Sequence, residues 1–476
     1  MQNLDKFYIN GEWVTPDGTA TMPIKNPATN MQIGTLTLGS AVDVDRAVAA
    51  AKSAFDTFSQ TPKEERLALL HKLLEVTKRR IGDLAEAMTI EMGAPATMSR
   101  EVQADSGVGH LASFIDAMEE LVEEETLSNG DIVTREPIGV VGMITPWNWP
   151  INQIALKVVP ALATGATCVL KPSEHTPLSA QIYAEIVAEA GYPAGVFNLV
   201  QGDGPTVGAG ISSHADVAMV SFTGSTRAGV EVSRAAAATI KRVTLELGGK
   251  SPNLVFADCD LEARIAEGVG EVFYNTGQSC NAPTRMLVER SCYARAQELA
   301  KVAAEGQKVD DPTKEGDHIG PLFDEIQFVR VQEMIEKGIN EGATVLAGGL
   351  GKPEGFEQGW YVRPTVFSDV TNEMAIAREE IFGPVLVMIP FDTEEEAIAI
   401  ANDTEYGLAA FVQTGDAARA DRVSRRLRAG VIAVNGRATD YGSPFGGYKM
   451  SGNGREGGIF GLEDYLEIKV RSPFVA

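Results

Sequence analysis

From Gly139 onward the chain alternates short apolar runs with helical stretches, and this alternation restricts the fold more than any other feature. Val140–Ile144 reads as a strand, and a helix follows from about Ile151. Thr167–Leu170 is the next strand and Pro177–Ala190 the next helix, with Leu178, Ile182 and Ile186 in helical phase. Val196–Val200, Val217–Phe222 and Arg242–Leu245 continue the series. Such alternation builds a parallel sheet covered by helices, with ligands at the carboxyl ends of its strands. After Leu247 the pattern resumes. Strands are expected at Asn253–Phe256, Met286–Val288, Thr344–Leu346, Val385–Ile389, Ala410–Gln413 and Val431–Val434. Helices are expected near Leu261–Tyr274, Arg295–Ala304, Phe323–Glu341 and Thr393–Asn402. The fold class is therefore α/β, with two domains and a crevice between them, where ligand sites usually form.

The residues before Gly139 read differently. Phe7–Gly11 and Thr35–Leu38 are short strands. Ser40 caps a helix to about Phe58, and Thr61-Pro62-Lys63-Glu64 reads as a capping box with Pro62 at the first helical position. That helix carries Leu67, Leu70, Leu74 and Ile81 on one face. A third helix ends near Gly93, and a fourth runs from about Met98 to Glu120. The acidic residues from Glu119 to Glu125 read as a solvated helix end.

Composition removes several function classes. With 41 basic and 65 acidic residues the net charge is −24, which repels nucleic acid and anionic membrane surfaces. Cys168, Cys259, Cys280 and Cys292 include no C-x-x-C pair and are too few for a disulfide framework, which fits a reducing cytoplasm. The five histidines have no metal-ligand spacing, so no catalytic metal is expected. The start has no signal-peptide core. The most apolar stretch, Ile154–Leu170, is interrupted by Lys157, Pro160 and Gly165 and is too short to span a membrane.

Several loops hold residues suited to chemistry. Cys280 follows Gly277-Gln278-Ser279, where Gly277 should break the preceding helix and leave the thiol on a loop. The plainer reading is a small packed cysteine. Glu246 lies between Leu245 and Leu247 ahead of Gly248-Gly249. A carboxyl ending a buried strand has a raised pKa, which suits a general base, unless it is simply ion-paired. In Pro146-Trp147-Asn148-Trp149-Pro150, a rigid apolar frame holds one amide, either as a packing corner or as an oxyanion donor worth roughly 3 kcal/mol of barrier. Lys171-Pro-Ser-Glu174 closes a strand with a pair that either grips a ribose or is a surface ion pair. Gly224-Ser225-Thr-Arg-Ala-Gly229 opens a helix whose N–H groups suit a pyrophosphate. Gly202-Asp-Gly204 is mainly turn chemistry.

Together these segments resemble the aldehyde dehydrogenase superfamily. The resemblance runs from Asn10-Gly-Glu-Trp13 to Lys469 and rests on LELGGKS around Glu246 and FxxxGQxC ending at Cys280. PWNxP, KPSE, FTGST, EEIFGP and PFGGYKxSGxGRE fall in the family order. The resemblance implies a Rossmann-like NAD-binding domain (1–115 and 137–247) and a second α/β catalytic domain (248–448). It also implies a small β oligomerisation arm (116–136 and 465–476) and a C-terminal segment, 449–464, returning to the NAD-binding domain. It implies oxidation of an aldehyde to a carboxylic acid, with Cys280 as nucleophile. Asn148 and the Cys280 N–H would form the oxyanion hole, Glu246 would activate water, and Glu456 would relay protons. Cofactor contacts would come from Trp147, Lys171, Glu174, Gly224, Ser225, Gly229, Leu247, Glu380 and Phe382. NAD is the expected cofactor, with Glu174 disfavouring NADP. The expected protein is a cytoplasmic homodimer or homotetramer, with a small aldehyde as partner and neither nucleic acid nor membrane.

Departures concern the substrate. Leu156 stands where an aromatic residue is common, Asn281 follows the nucleophile, and Arg437 sits in a loop expected at the tunnel mouth. Arg437 reads either as a receiver for a carboxylated aldehyde or as a solvated arginine. Glu246 argues against the CoA-acylating members, which lack this base. A cofactor-free cysteine hydrolase would need a histidine beside Cys280, and a purely structural member would not need Cys280, Glu246 and Asn148 together.

Overall fold

The computed structural model describes residues 2–437 and 439–474. Its strands form four sheets, two of them large. The first large sheet has eight strands in the order Gly452–Asn453, Arg242–Glu246, Met219–Thr223, Val140–Ile144, Thr167–Lys171, Phe197–Leu199, Phe7–Ile9 and Glu12–Val14. Its five central strands are parallel, and the flanking strands pair antiparallel. Val140–Ile144 lies between its chain successor, Thr167–Lys171, and the later Met219–Thr223. The order therefore reverses there, which opens a crevice at the carboxyl ends. The loops leaving those ends carry Trp147-Asn148-Trp149 and Gly224-Ser225.

The second large sheet runs Thr344–Ala347, Thr365–Ser368, Val385–Phe391, Arg285–Glu289, Pro252–Val255, Ala409–Gln413 and Val431–Val434. Only the Thr344 edge strand is antiparallel. Because Arg242–Glu246 is followed after Leu247–Ser251 by Pro252–Val255, the second sheet starts where the first ends. The Cys280 loop enters Arg285–Glu289 at its amino end, so it returns to the same level of the chain.

The helix Pro150–Thr164 lies beneath the first sheet with all its residues but Asn152 buried. A helix apolar all round belongs in a core, and Lys157, fully buried, is its one charge. Pro150 at the first position starts it, and Gly165 at φ 91° stops it in the left-handed conformation. Ser40 caps Ala41–Phe58 in a capping box with Asp43.

Some local expectations need correction. The helix Lys63–Arg79 has Pro62 at its cap and no side-chain cap bond, so Thr61 and Glu64 form no capping box. Proline fixes the entry angle without it. Ile81 begins the next helix, Ile81–Met92, and the buried face of Lys63–Arg79 is Arg66, Leu70, Leu73, Val76 and Thr77. Asp116–Glu120 complete the helix Asp105–Glu120. The antiparallel arm is Glu124–Thr126, Ile132–Pro137 and Leu466–Arg471. Of the expected acidic helix end, Glu124 and Glu125 are strand residues, and Glu123 pairs with Arg66. The last two residues of the expected arm, 475 and 476, lie outside the described residues, as does residue 438 of the mouth loop.

Candidate active site

The cysteine loop begins with a turn of unusual handedness. The helix Leu261–Phe273 stops before Asn275 (φ 52°), Thr276 (φ 57°) and Gly277 (φ 72°), three consecutive left-handed residues. Gly277 therefore does not end the helix alone; the break starts at Asn275. A β-branched residue rarely accepts this conformation, and here Thr276 is buried and its hydroxyl donates to the Gly320 carbonyl at 3.1 Å. Gly277 is a steric necessity as well, since a Cβ there would collide with the Gly383 carbonyl carbon. The Gln278 side chain ties the turn together, donating to Asn275 O at 3.0 Å and accepting from Phe323 N at 3.0 Å. Cys280 leaves this frame partly exposed.

Asn148 reaches the same turn. Its Nδ2 donates to Gln278 O at 2.9 Å, and its own carbonyl accepts from Gln103 Nε2 at 3.1 Å and Asn275 Nδ2 at 2.9 Å. Gln103 also donates to Asn275 Oδ1 at 3.3 Å. The residue is thus held by its backbone carbonyl and by one side-chain N–H in a buried setting, with the second side-chain N–H left for another acceptor. Trp149 Nε1 donates to Ser279 Oγ at 3.0 Å, adding a second tie between the two loops.

Glu246 ends its strand buried, and neither carboxyl oxygen has a hydrogen-bond partner among the described residues. Burial pushes its pKa well up, and the Glu456 carboxylate adds to the shift. Glu456 is buried too, and one of its oxygens pairs with the Lys157 ammonium. Lys157 also donates to Thr223 Oγ1 at 2.7 Å. The Cys280 thiol is likewise pushed up by burial and then by the Glu246 and Glu380 carboxylates. Burial thus favours the protonated thiol, beside a carboxyl whose pKa is held well above the ordinary carboxylate range, which suits proton transfer between them.

A cavity of about 710 Å³ reaches this group. Cys280 and Glu456 line its inner part with Gln153 and Leu156, while Asn281, Tyr274, Arg437 and Tyr441 line it farther out. Glu246 and Asn148 are buried outside its wall. His110 also lines it, but its Nε2 is bonded to Asn152 Nδ2 at 3.0 Å, and burial lowers its pKa to about 4. It makes no hydrogen bond to Cys280 among the described residues, which leaves the hydrolase reading without its base.

The residues expected to hold a dinucleotide lie on other loops. Ser225 caps the helix Thr226–Ala237, its hydroxyl accepting from Ala228 N at 3.3 Å. A Cβ on Gly229 would collide with Leu247, which fixes that helix against the Glu246 loop. Gly224 N donates to Glu246 O at 3.0 Å. Lys171 Nζ donates to Glu174 Oε2 at 2.9 Å. Burial opposes ionisation of Glu174, but the Lys171 charge prevails and holds its carboxyl below the ordinary range. The Trp147 ring stacks on Phe323 at 3.7 Å and meets Phe382 edge-on at 5.5 Å. Glu380 accepts from Gly249 N at 3.0 Å, and burial raises its pKa to about 7. A Cβ on Gly249 would collide with the Cys280 carbonyl, so Glu380, Gly249 and Cys280 are immediate neighbours. A helix N-terminus, a Lys–Glu pair and a carboxyl beside the thiol fit a pyrophosphate, a ribose diol and a second ribose.

Sequence reasoning did not single out Lys157, Gln103 or Asn275 for the site. Lys157 had a signal, since it interrupts the most apolar stretch of the chain. Gln103 and Asn275 had none, because each acts through partners remote in sequence.

Comparisons with known proteins show what the chain is similar to. The sequence profile of the aldehyde dehydrogenase family fits residues 13–471. A 3-succinoylsemialdehyde-pyridine dehydrogenase from a Pseudomonas species is 50% identical over 470 residues, covering 98% of each chain. The crystal structure of an aldehyde dehydrogenase from Bartonella henselae superposes with a TM-score of 0.98 at 49% identity, covering all of both chains. A cysteine-to-alanine mutant of aldehyde dehydrogenase C from Pseudomonas syringae, complexed with NAD+ and octanal, gives a TM-score of 0.97 at 49% identity. That match covers 98% of this chain and 96% of the other.

Proposed function

We propose, since this chain belongs to the aldehyde dehydrogenase family, that it oxidises an aldehyde to a carboxylic acid with NAD through a covalent Cys280 intermediate. The observation that carries the reading is that Cys280 lines a cavity, with Glu246 and Asn148 buried behind its wall. Glu246 takes the Cys280 proton, and Sγ bonds to the aldehyde carbon. The oxygen becomes an alkoxide, which accepts from the second Asn148 N–H and the Cys280 N–H. When bound, NAD supplies a nicotinamide ring that accepts a hydride. Cys280 is left carrying the acyl group as a thioester. Glu246 then removes a proton from water, the hydroxide adds to the thioester carbon, and the Cys280 sulfur leaves. Glu456, held by Lys157, is the next acceptor for the proton that Glu246 collects.

In the cofactor site, Lys171 and Glu174 take the adenosine ribose, and Gly224, Ser225 and Gly229 take the pyrophosphate. Trp147 and Leu247 form the wall. Glu380 with Phe382 takes the second ribose. The ionised Glu174 repels a 2′-phosphate, which favours NAD over NADP. A tunnel of about 710 Å³ fits a medium-sized aldehyde better than a two-carbon one. The Pseudomonas relative is named for a pyridine semialdehyde and the syringae complex holds octanal, which supports that size range.

Residues 1–115, 137–247 and 449–464 serve as the cofactor domain, and 248–448 as the catalytic domain. The arm strands serve as an oligomerisation edge. A cytoplasmic location suits four free cysteines and a chain in which, among the described residues, no helix is long and apolar enough to cross a membrane. Mixing the protein with octanal and NAD and following NADH absorbance tests the reaction. NADH should accumulate, and Cys280→Ala should abolish it while NAD still binds. Turnover in Cys280→Ala, or no NADH from a broad aldehyde panel, would overturn the reading.

A further inference from the structure

We infer that the open end of the tunnel selects aldehydes by charge, accepting neutral and cationic ones and turning away those that carry a carboxylate. The inference rests on the oxidative reading above and deepens it to a substrate class. The tunnel has a buried end at Glu456 and an exposed end at Glu267, Glu271, Arg437 and Asp440. Three carboxylates and one guanidinium therefore face an incoming substrate. Arg264 offsets only part of this charge. It pairs with Glu267 at 2.7 Å beside Gly436, where a Cβ would meet both side chains, and it does not line the tunnel. Glu271 and Asp440 form no ion pair among the described residues, nor does Arg437. The Glu271 carboxyl is pushed up mainly by burial and then by the neighbouring Glu267.

Arg437 is thus a poor carboxylate receiver. A guanidinium that binds a substrate carboxylate needs both its N–H faces aimed without competition, and here three carboxylates share its cleft. The walls act in the same direction. Tyr274 and Tyr441 are partly exposed at this end, and Trp149 lies 6.1 Å from Tyr274. Aromatic faces attract cations and neutral apolar groups and give an anion nothing. A cleft with low-dielectric walls focuses such a field on whatever enters.

Matched substrates isolate the charge. 4-Trimethylammoniobutanal and 5,5-dimethylhexanal share a shape and differ in one positive charge. Succinic semialdehyde and its methyl ester differ in one negative charge. At low ionic strength kcat/KM should be about threefold to tenfold higher for the cation than for its carbon isostere. The carboxylate should be lower than its ester by a similar factor. Both ratios should shrink towards one in high salt. Glu271→Gln with Asp440→Asn should shrink both ratios at low salt, whereas Arg437→Gln should enlarge them. A carboxylate that outperforms its ester, with the advantage lost in Arg437→Gln, would overturn the inference, as would ratios near one at low salt. In either case, turnover of the neutral aldehydes would leave the oxidative reading standing. No NADH from any of the four would overturn that reading and the inference together.

Discussion

Glu246 and Glu456 are two carboxyl groups buried together, and among the described residues only Glu456 forms an ion pair. Two like charges at short range in a poor dielectric cannot both ionise easily, so the unpaired one keeps its proton to higher pH. That sets a pH dependence. A general base works only when deprotonated, so kcat should fall as pH drops through a value well above the ordinary carboxylate range of about 4.3. A profile of kcat against pH from 5 to 9 checks this, and Glu246→Gln should remove that limb along with most of the steady-state rate. The groups assigned to the reaction could be singled out because each sits in a short contiguous motif whose chemistry can be read alone. The groups that hold them were not. Gln103 and Asn275 grip Asn148 across 45 and 127 residues of chain, and no local pattern announces a hydrogen bond between distant polar residues. Gln103→Ala should therefore lower kcat about tenfold or more through loss of aim in the Asn148 amide, with a smaller change in KM.

The cysteine turn and the loop Glu380–Pro384 are packed backbone to backbone at Gly277 and Gly383. Gly277→Ala has nowhere to put its methyl group and must also hold φ 72°. The cost should be roughly 1–3 kcal/mol, read as a lower Tm, and kcat should fall because Cys280 and Glu380 move together. At this scale most regular elements were readable from periodicity, and the failures have physical reasons. The turn began two residues before Gly277 because Asn275 and Thr276 adopt left-handed backbone, which a threonine gives no reason to expect. The strand Thr365–Ser368 went unread because it is only four residues long, too short a run to show a period. The helix Ala417–Ser424 escaped because it is polar and buries only Val423. Tertiary placement, not propensity, makes both.

At the scale of the whole molecule the two large sheets meet where the chain leaves the carboxyl end of Arg242–Glu246 and enters Pro252–Val255 at its amino end, the end at which the Cys280 loop also enters the second sheet. The short link from Glu246 to Pro252 imposes that arrangement, and it brings Glu246, Asn148 and Cys280 from three loops to one place. Alternation of strand and helix implied the two halves, but not the order of their strands, which depends on contacts no single segment encodes. The arm adds a scale beyond the chain. Its edge strand Leu466–Arg471 exposes Ile468 (70%) and Val470 (61%), unusual for apolar side chains on a sheet edge. On the oligomerisation role proposed for the arm, wild-type protein should sediment as a dimer or tetramer and Ile468→Glu as a monomer, with little loss of Tm in the monomer itself. A wild-type protein that sediments as a monomer at micromolar concentration would contradict the arm's assigned role.

The central claim is that the substrate becomes covalently attached to Cys280 and that Glu246 releases it. Intact-protein mass spectrometry of Glu246→Gln, after mixing with NAD and octanal, tests it most directly. The account predicts about one NADH per site in a burst, followed by a protein heavier by one octanoyl group carried on Cys280. An unmodified mass alongside steady NADH production would contradict it.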